Sequence, residues 1–247
     1  MGEESQRTRT VIVLSGPDAL PAELIDRVEQ LGFHPLACVN ASAAEQAVLD
    51  AEDPIHCALL PASLADRNLK RELKSLRRAG SLTGLHLVAV GEEPGRAERK
   101  LLRNAGVRYA LWNPVEASTL RFQLNRLTRY DPATDEIRRA RRVPTRLPAR
   151  VSAGGRSRDA TVYSLSESGA FLETQRAAMN GARVEVEFLL NHRTLAAPAT
   201  VAFANVPGNL QRPNLPLGMG VRFGELPSGT QRALIDYVES QLPQLEV

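Results

Sequence analysis

The apolar pattern of this chain changes period once, and that change decides what it can fold into. Residues 9–127 alternate continuous apolar runs with helical stripes. Val11-Ile12-Val13-Leu14 is apolar throughout, as a strand covered on both faces requires. Leu24, Val28 and Leu31 then fall on one side of a helix closed by Gly32. The same alternation predicts strands at 36–39, 56–60, 85–90 and 109–112. Helices are predicted over 41–51, around Leu69, Leu73 and Leu76, over 96–105, and around Leu120, Leu124 and Leu127. Pro61 is expected to stop the third strand. Five strand–helix units in succession predict an open, doubly wound parallel sheet.

From residue 147 the pattern turns to short strands separated by turn residues. Strands are predicted at 147–151, 160–163, 170–174, 184–190, 196–204 and 219–223, with Gly154-Gly155 as a hairpin turn. Six such strands predict a small antiparallel barrel. A last helix, with Leu234, Ile235, Val238 and Leu242 on one face, is expected to cap it. The resulting boundaries are an α/β domain at 8–129, a polar linker at 130–137 and an all-β domain at 138–244. A length of 247 residues and a hydrophobic content of 43% are enough for two cores.

Several function classes fall away on composition. The net charge is only +3, so overall electrostatics do not mark a nucleic-acid binder. No apolar run approaches the roughly 20 residues of a membrane helix, and the start, Met1-Gly2-Glu3-Glu4-Ser5, is not a secretory signal. A cytoplasmic protein without integral membrane association is expected. Cys38 and Cys57 sit in strand-like segments and are expected to be reduced core residues. His34, His56, His86 and His192 lack ligand spacing, so no metal, no cofactor and no catalytic residue is expected. No nucleophile–base pair or phosphate-cradling loop stands out, so the chain does not read as an enzyme.

The basic residues are concentrated at 138–150, beginning with Arg138-Arg139-Ala140-Arg141-Arg142. Downstream lies Ser164-Leu165-Ser166-Glu167-Ser168-Gly169. Arginine forks match phosphate oxygens and stack on flat rings. A glycine lets the backbone approach a ligand. Together they predict a site for a phosphate-bearing ligand. The arrangement resembles the PilZ family, small β-barrel receptors for cyclic di-GMP, with its motifs R-x-x-x-R and D/N-x-S-x-x-G. Arg138 and Arg142 match the first motif, and Ser166 and Gly169 the second, with Ser164 in place of the acid or amide. A second register, Arg142 and Arg146, is also present; the first is preferred because Val143-Pro144 then follow as in the family. The resemblance continues through Gly169–Thr174, Val184–Phe188 and Gly218–Phe223. It implies Arg138 and Arg142 as phosphate and stacking residues, Ser164 as a weakened guanine reader, Ser166 and Gly169 as pocket residues, and Arg139 and Arg141 as additional phosphate contacts.

The first domain resembles the receiver of bacterial response regulators, most clearly at Leu111-Trp112-Asn113-Pro114-Val115. The receiver's chemistry is missing. Ser15 and Gly16 stand where paired acids hold magnesium, Leu60 and Pro61 where an aspartate accepts phosphate, Gly91 at the switch hydroxyl and Asn113 at the lysine. Without carboxylates there is neither a hard-cation site nor an acyl-phosphate nucleophile. Asp18 nearby is expected to serve a helix start. The expected chain is therefore a pseudo-receiver fused to a PilZ domain, similar to myxobacterial regulators of motility. Two functions follow from the resemblances: a cyclic di-GMP receptor with weakened binding that regulates motility or cell polarity through protein partners, or a ligand-independent adaptor.

Overall fold

The computed structural model describes residues 9–15, 20, 22–66, 68–128, 141–210, 212 and 214–247. The chain divides into two units, Met1–Asp131 together with Pro243–Val247, and Pro132–Leu242.

The first unit is a five-stranded parallel sheet in the order β2-β1-β3-β4-β5. Its strands are β1 (Thr10–Leu14), β2 (His34–Cys38), β3 (Cys57–Pro61), β4 (His86–Gly91) and β5 (Tyr109–Trp112). Beyond Thr10 and His86 at their starts, the central strands β1, β3 and β4 carry no polar side chain, because both faces are covered. Val11, Val13, Leu59, Val88 and Val90 pack on one side with Leu24 and Val28 of α1 (Ala22–Gln30) and Leu120 and Leu124 of α6 (Ala117–Leu127). Ile12, Leu14, Ala58, Leu60 and Ala89 pack on the other. There they meet α2 (Ala41–Asp50), α3 (Leu69–Glu72), α4 (Lys74–Thr83) and α5 (Arg96–Asn104). This is the doubly wound sheet expected, and it is consistent with a receiver-like α/β domain.

Two local expectations need correcting. The third helix is broken at Leu73, whose ψ of 2° leaves helical geometry between α3 and α4. The third strand does not stop before Pro61, which stays in register with Val90. Cys38 and Cys57 are both free and buried. Complete burial pushes the Cys57 thiol up to about 12.

The last five residues return to the first unit. Leu245 is buried, and its carbonyl accepts from Ala110 N at 2.9 Å and from Gln123 Nε2 at 3.0 Å. Val247 N donates to Arg108 O at 3.1 Å, and Glu246 bridges Tyr109 in antiparallel fashion. The tail thus covers the outer edge of β5, which would otherwise present unpaired backbone groups.

The second unit is antiparallel. Its strands are β6 (Arg142–Ala153), β7 (Arg156–Ser166), β8 (Gly169–Glu173), β9 (Arg183–Leu190), β10 (Arg193–Val206), β11 (Asn209–Leu210) and β12 (Gly218–Phe223). Six of them close into a barrel, β10-β12-β8-β7-β6-β9, because β9 pairs again with β10; the two-residue β11 only extends β10. Alternate residues such as Val184, Val186, Phe188 and Leu190 fill the interior. Helix α7 (Ser228–Gln241) adds Leu234 to that core. The six-stranded barrel with a final helix is the architecture expected.

Candidate functional site

Arg142 opens β6 and lies directly across from Ser166 of β7 in the antiparallel register. Its Nη1 donates to the carbonyl of Ser164 and to Ser164 Oγ, both at 3.3 Å, and its Nη2 donates to Ser166 Oγ at 3.2 Å. Ser166 Oγ in turn donates to the carbonyl of Gly169 at 3.0 Å. Both serines are almost wholly buried, at 3% and 1% exposure, whereas the arginine is half-buried. The guanidinium is therefore held by a buried chain of serine and backbone oxygens, which fix its orientation.

The structure brings together Arg142, Ser164, Ser166 and Gly169. Arg141 precedes the strand and is exposed. Arg138, Arg139 and the linker at 130–137 lie outside the described residues. Ser164 faces Arg142 with both its hydroxyl and its carbonyl. Gly169 is needed for packing, since a Cβ there would overlap the carbonyl oxygen of Val221 on β12. Nothing about this glycine requires an unusual φ.

One functional-looking residue was not visible in the sequence. Asn205 of β10 is wholly buried, and its Nδ2 donates to the carbonyls of Arg212, Leu215 and Pro216 at 3.0–3.2 Å. Its Oδ1 accepts from Arg212 N at 3.0 Å. This one amide organises the loop before β12, and Arg212 is set 4.1 Å over the Phe203 ring. A lone asparagine within a strand pattern gives no period to detect.

The first unit has a cleft of about 590 Å³ at the carboxyl ends of β3, β4 and β5. Pro61, Gly91 and Asn113 line it. Several of its polar groups have close partners: Asn113 Nδ2 donates to Glu92 Oε1 at 3.0 Å, Glu98 caps Gly95 N at 2.6 Å, Glu93 pairs with Arg99 of α5, and Arg27 donates to the carbonyl of Val115. Ser15 Oγ donates to Cys38 O at 3.2 Å. Gly16 and Asp18 lie outside the described residues. Among the described residues no group of three or more His, Cys, Asp or Glu side chains could hold a metal ion. No helix among them is long and apolar enough to cross a membrane.

Comparison with known proteins bears on the second unit. Residues 136–240 match the family described as PilZ domain, so this part of the chain is a PilZ domain. No curated protein matches. Among solved structures the chain is similar to the Bacillus subtilis inhibitor of motility, at 18% identity and a TM-score of 0.37 over 43% of this chain and 52% of that one. It thus spans about half the length of that protein. It is also similar to the PilZ domain of YcgR from Escherichia coli, solved with c-di-GMP, at 18% identity and a TM-score of 0.35, covering 43% of this chain and 92% of that one. A third similarity is to Borreliella burgdorferi PlzA in complex with c-di-GMP, at 12% identity and a TM-score of 0.31 over 59% and 50% of the two chains. Overlaps this slight carry no inference about ligand or output.

Proposed function

We propose that the chain is a non-enzymatic signalling regulator whose PilZ domain binds cyclic di-GMP through Arg142. The observation that carries this is the guanidinium held by Ser164 and Ser166 at the start of β6, within a domain whose family the sequence match identifies. An arginine already oriented by buried hydroxyls loses less freedom when it meets a phosphate. Arg138 is the second phosphate and stacking residue, with Arg139 and Arg141 adding charge. The receiver-like unit acts by contact and does not accept phosphate. The output is control of motility or cell polarity through protein partners, in the cytoplasm.

A second reading is a ligand-independent adaptor. Ser164 favours it, because a buried serine committed to Arg142 offers no charged acceptor to a guanine edge. Calorimetric titration with cyclic di-GMP separates the two. The receptor reading expects saturable binding that weakens about a hundred-fold or more in Arg138→Ala/Arg142→Ala, the worth of two charge-assisted contacts. It also expects Ser164→Asp to tighten binding about ten-fold, the worth of one. Wild-type affinity in the double variant overturns the assignment. No binding by either the natural chain or Ser164→Asp, with both folded, establishes the adaptor.

A further inference from the structure

The inner face of β7 runs out of apolar residues before the strand ends. Val162 points into the barrel core and Ala160 packs against it, but the next two positions of the same face, Arg158 and Arg156, are arginines. Their cross-strand partners on β6 are Val151 and Ala153. A third arginine, Arg176, enters from the segment after β8 and borders the same hollow, whose floor is completed by Ala178 and Met219. Arg158 Nη1 donates to the carbonyl of Arg176 at 3.0 Å, and Arg176 N donates to Thr174 Oγ1 at 3.3 Å. Among the described residues none of the three guanidiniums forms an ion pair. Asp159 also borders the hollow, but its carboxylate lies 4.0 Å from Arg150.

We propose that this hollow is a docking surface for an acidic segment of a partner protein, one whose carboxylates flank an apolar side chain. Three guanidiniums without counter-charge call for an anionic partner, and their planar forks match carboxylates. The enclosed space is only about 10 Å³. That is room for about one water and far below the several hundred Å³ of a nucleotide pocket. The partner must therefore lie across the surface. The Val151 and Met219 floor, with neighbouring Met179 83% exposed, gives an apolar anchor something adaptable to rest on. A lipid surface suits the site less well, because the adjoining turn, Gly154-Gly155, adds no apolar side chain to Met179 for insertion. Arg142 lies at the opposite end of β6, 12 residues long, so at roughly 3.3 Å per residue the two sites are well separated.

The test uses the full chain and fluorescence polarisation with a short synthetic peptide, alternating Glu and Asp around a central Leu-Phe pair. Binding is expected to weaken at least about ten-fold in Arg156→Glu/Arg158→Glu/Arg176→Glu. It is expected to change little in Arg193→Glu/Arg222→Glu/Arg232→Glu, which alters net charge equally at other exposed arginines. Far-UV circular dichroism of both variants checks that the barrel is folded. Absence of peptide binding by the natural chain, or equal loss in the two triple variants, overturns the proposal. So does binding to vesicles containing phosphatidylserine that is lost only in the first variant while the peptide does not bind.

Discussion

The two units hold the polar groups at their candidate sites in different ways. At the carboxyl ends of β3, β4 and β5, carboxylates around the cleft meet nearby donors: Glu92 the Asn113 amide, Glu93 Arg99, and Glu98 a helix-start amide. At the start of β6, Arg142 is braced by two buried serines, which fix the direction of its fork. Such local contacts hold the segments that frame the cleft. A guanidinium whose direction is fixed beforehand loses less freedom on meeting a phosphate. On the proposed reading, cleft size alone does not locate the ligand site: the cleft of about 590 Å³ is in the first unit, whereas Arg142 stands in the PilZ domain.

Gly169→Val should give the largest effect within the barrel. Its side chain would collide with the Val221 carbonyl, a backbone atom that cannot rotate aside. A loss of about 3 kcal/mol or more is expected in chemical denaturation, the upper range for overpacking. An unchanged midpoint would mean that this motif glycine serves the ligand and not the packing, and would narrow the contrast drawn here.

Removal of residues 243–247 should weaken the other unit more gently. The deletion frees the edge of β5, strips the backbone pairing at Ala110 and leaves the buried amide of Gln123 without its Leu245 partner. About 2 kcal/mol is expected, the cost of a few lost bonds and one poorly satisfied buried group. The reporter is amide exchange at Ala110, which should accelerate while exchange in β7 and β8 stays as it was. Unaltered protection at Ala110 would show that the tail contributes nothing to the first unit.

Much of this was legible in the sequence. Strands covered on both faces read as continuous apolar runs, so the stretches 11–14, 57–61 and 87–90 of β1, β3 and β4 stand out. The break at Leu73 is hidden because Leu69, Leu73 and Leu76 keep a helical spacing through it, all three being buried. The full extent of β6 is hidden by Pro144 and Pro148. Pro144 lies at a register irregularity, and both precede Ala149, where pairing with β9 begins, so the missing amides are tolerated. The returning tail is only a few residues held through carbonyls and one side-chain amide, which leaves no periodic trace. At the site, residue types indicated Arg142 and Ser166, but the bracing of Arg142 by Ser164 depends on cross-strand register, which spacing along the chain does not reveal.

Hydrogen exchange of the full chain with and without cyclic di-GMP tests the central contrast most directly. The account predicts added protection around Arg142–Thr145 and Ser164–Gly169, with the cleft segments Gly91–Gly95 and Asn113–Val115 unchanged. Protection confined to those cleft segments, or none anywhere at saturating ligand, would contradict it.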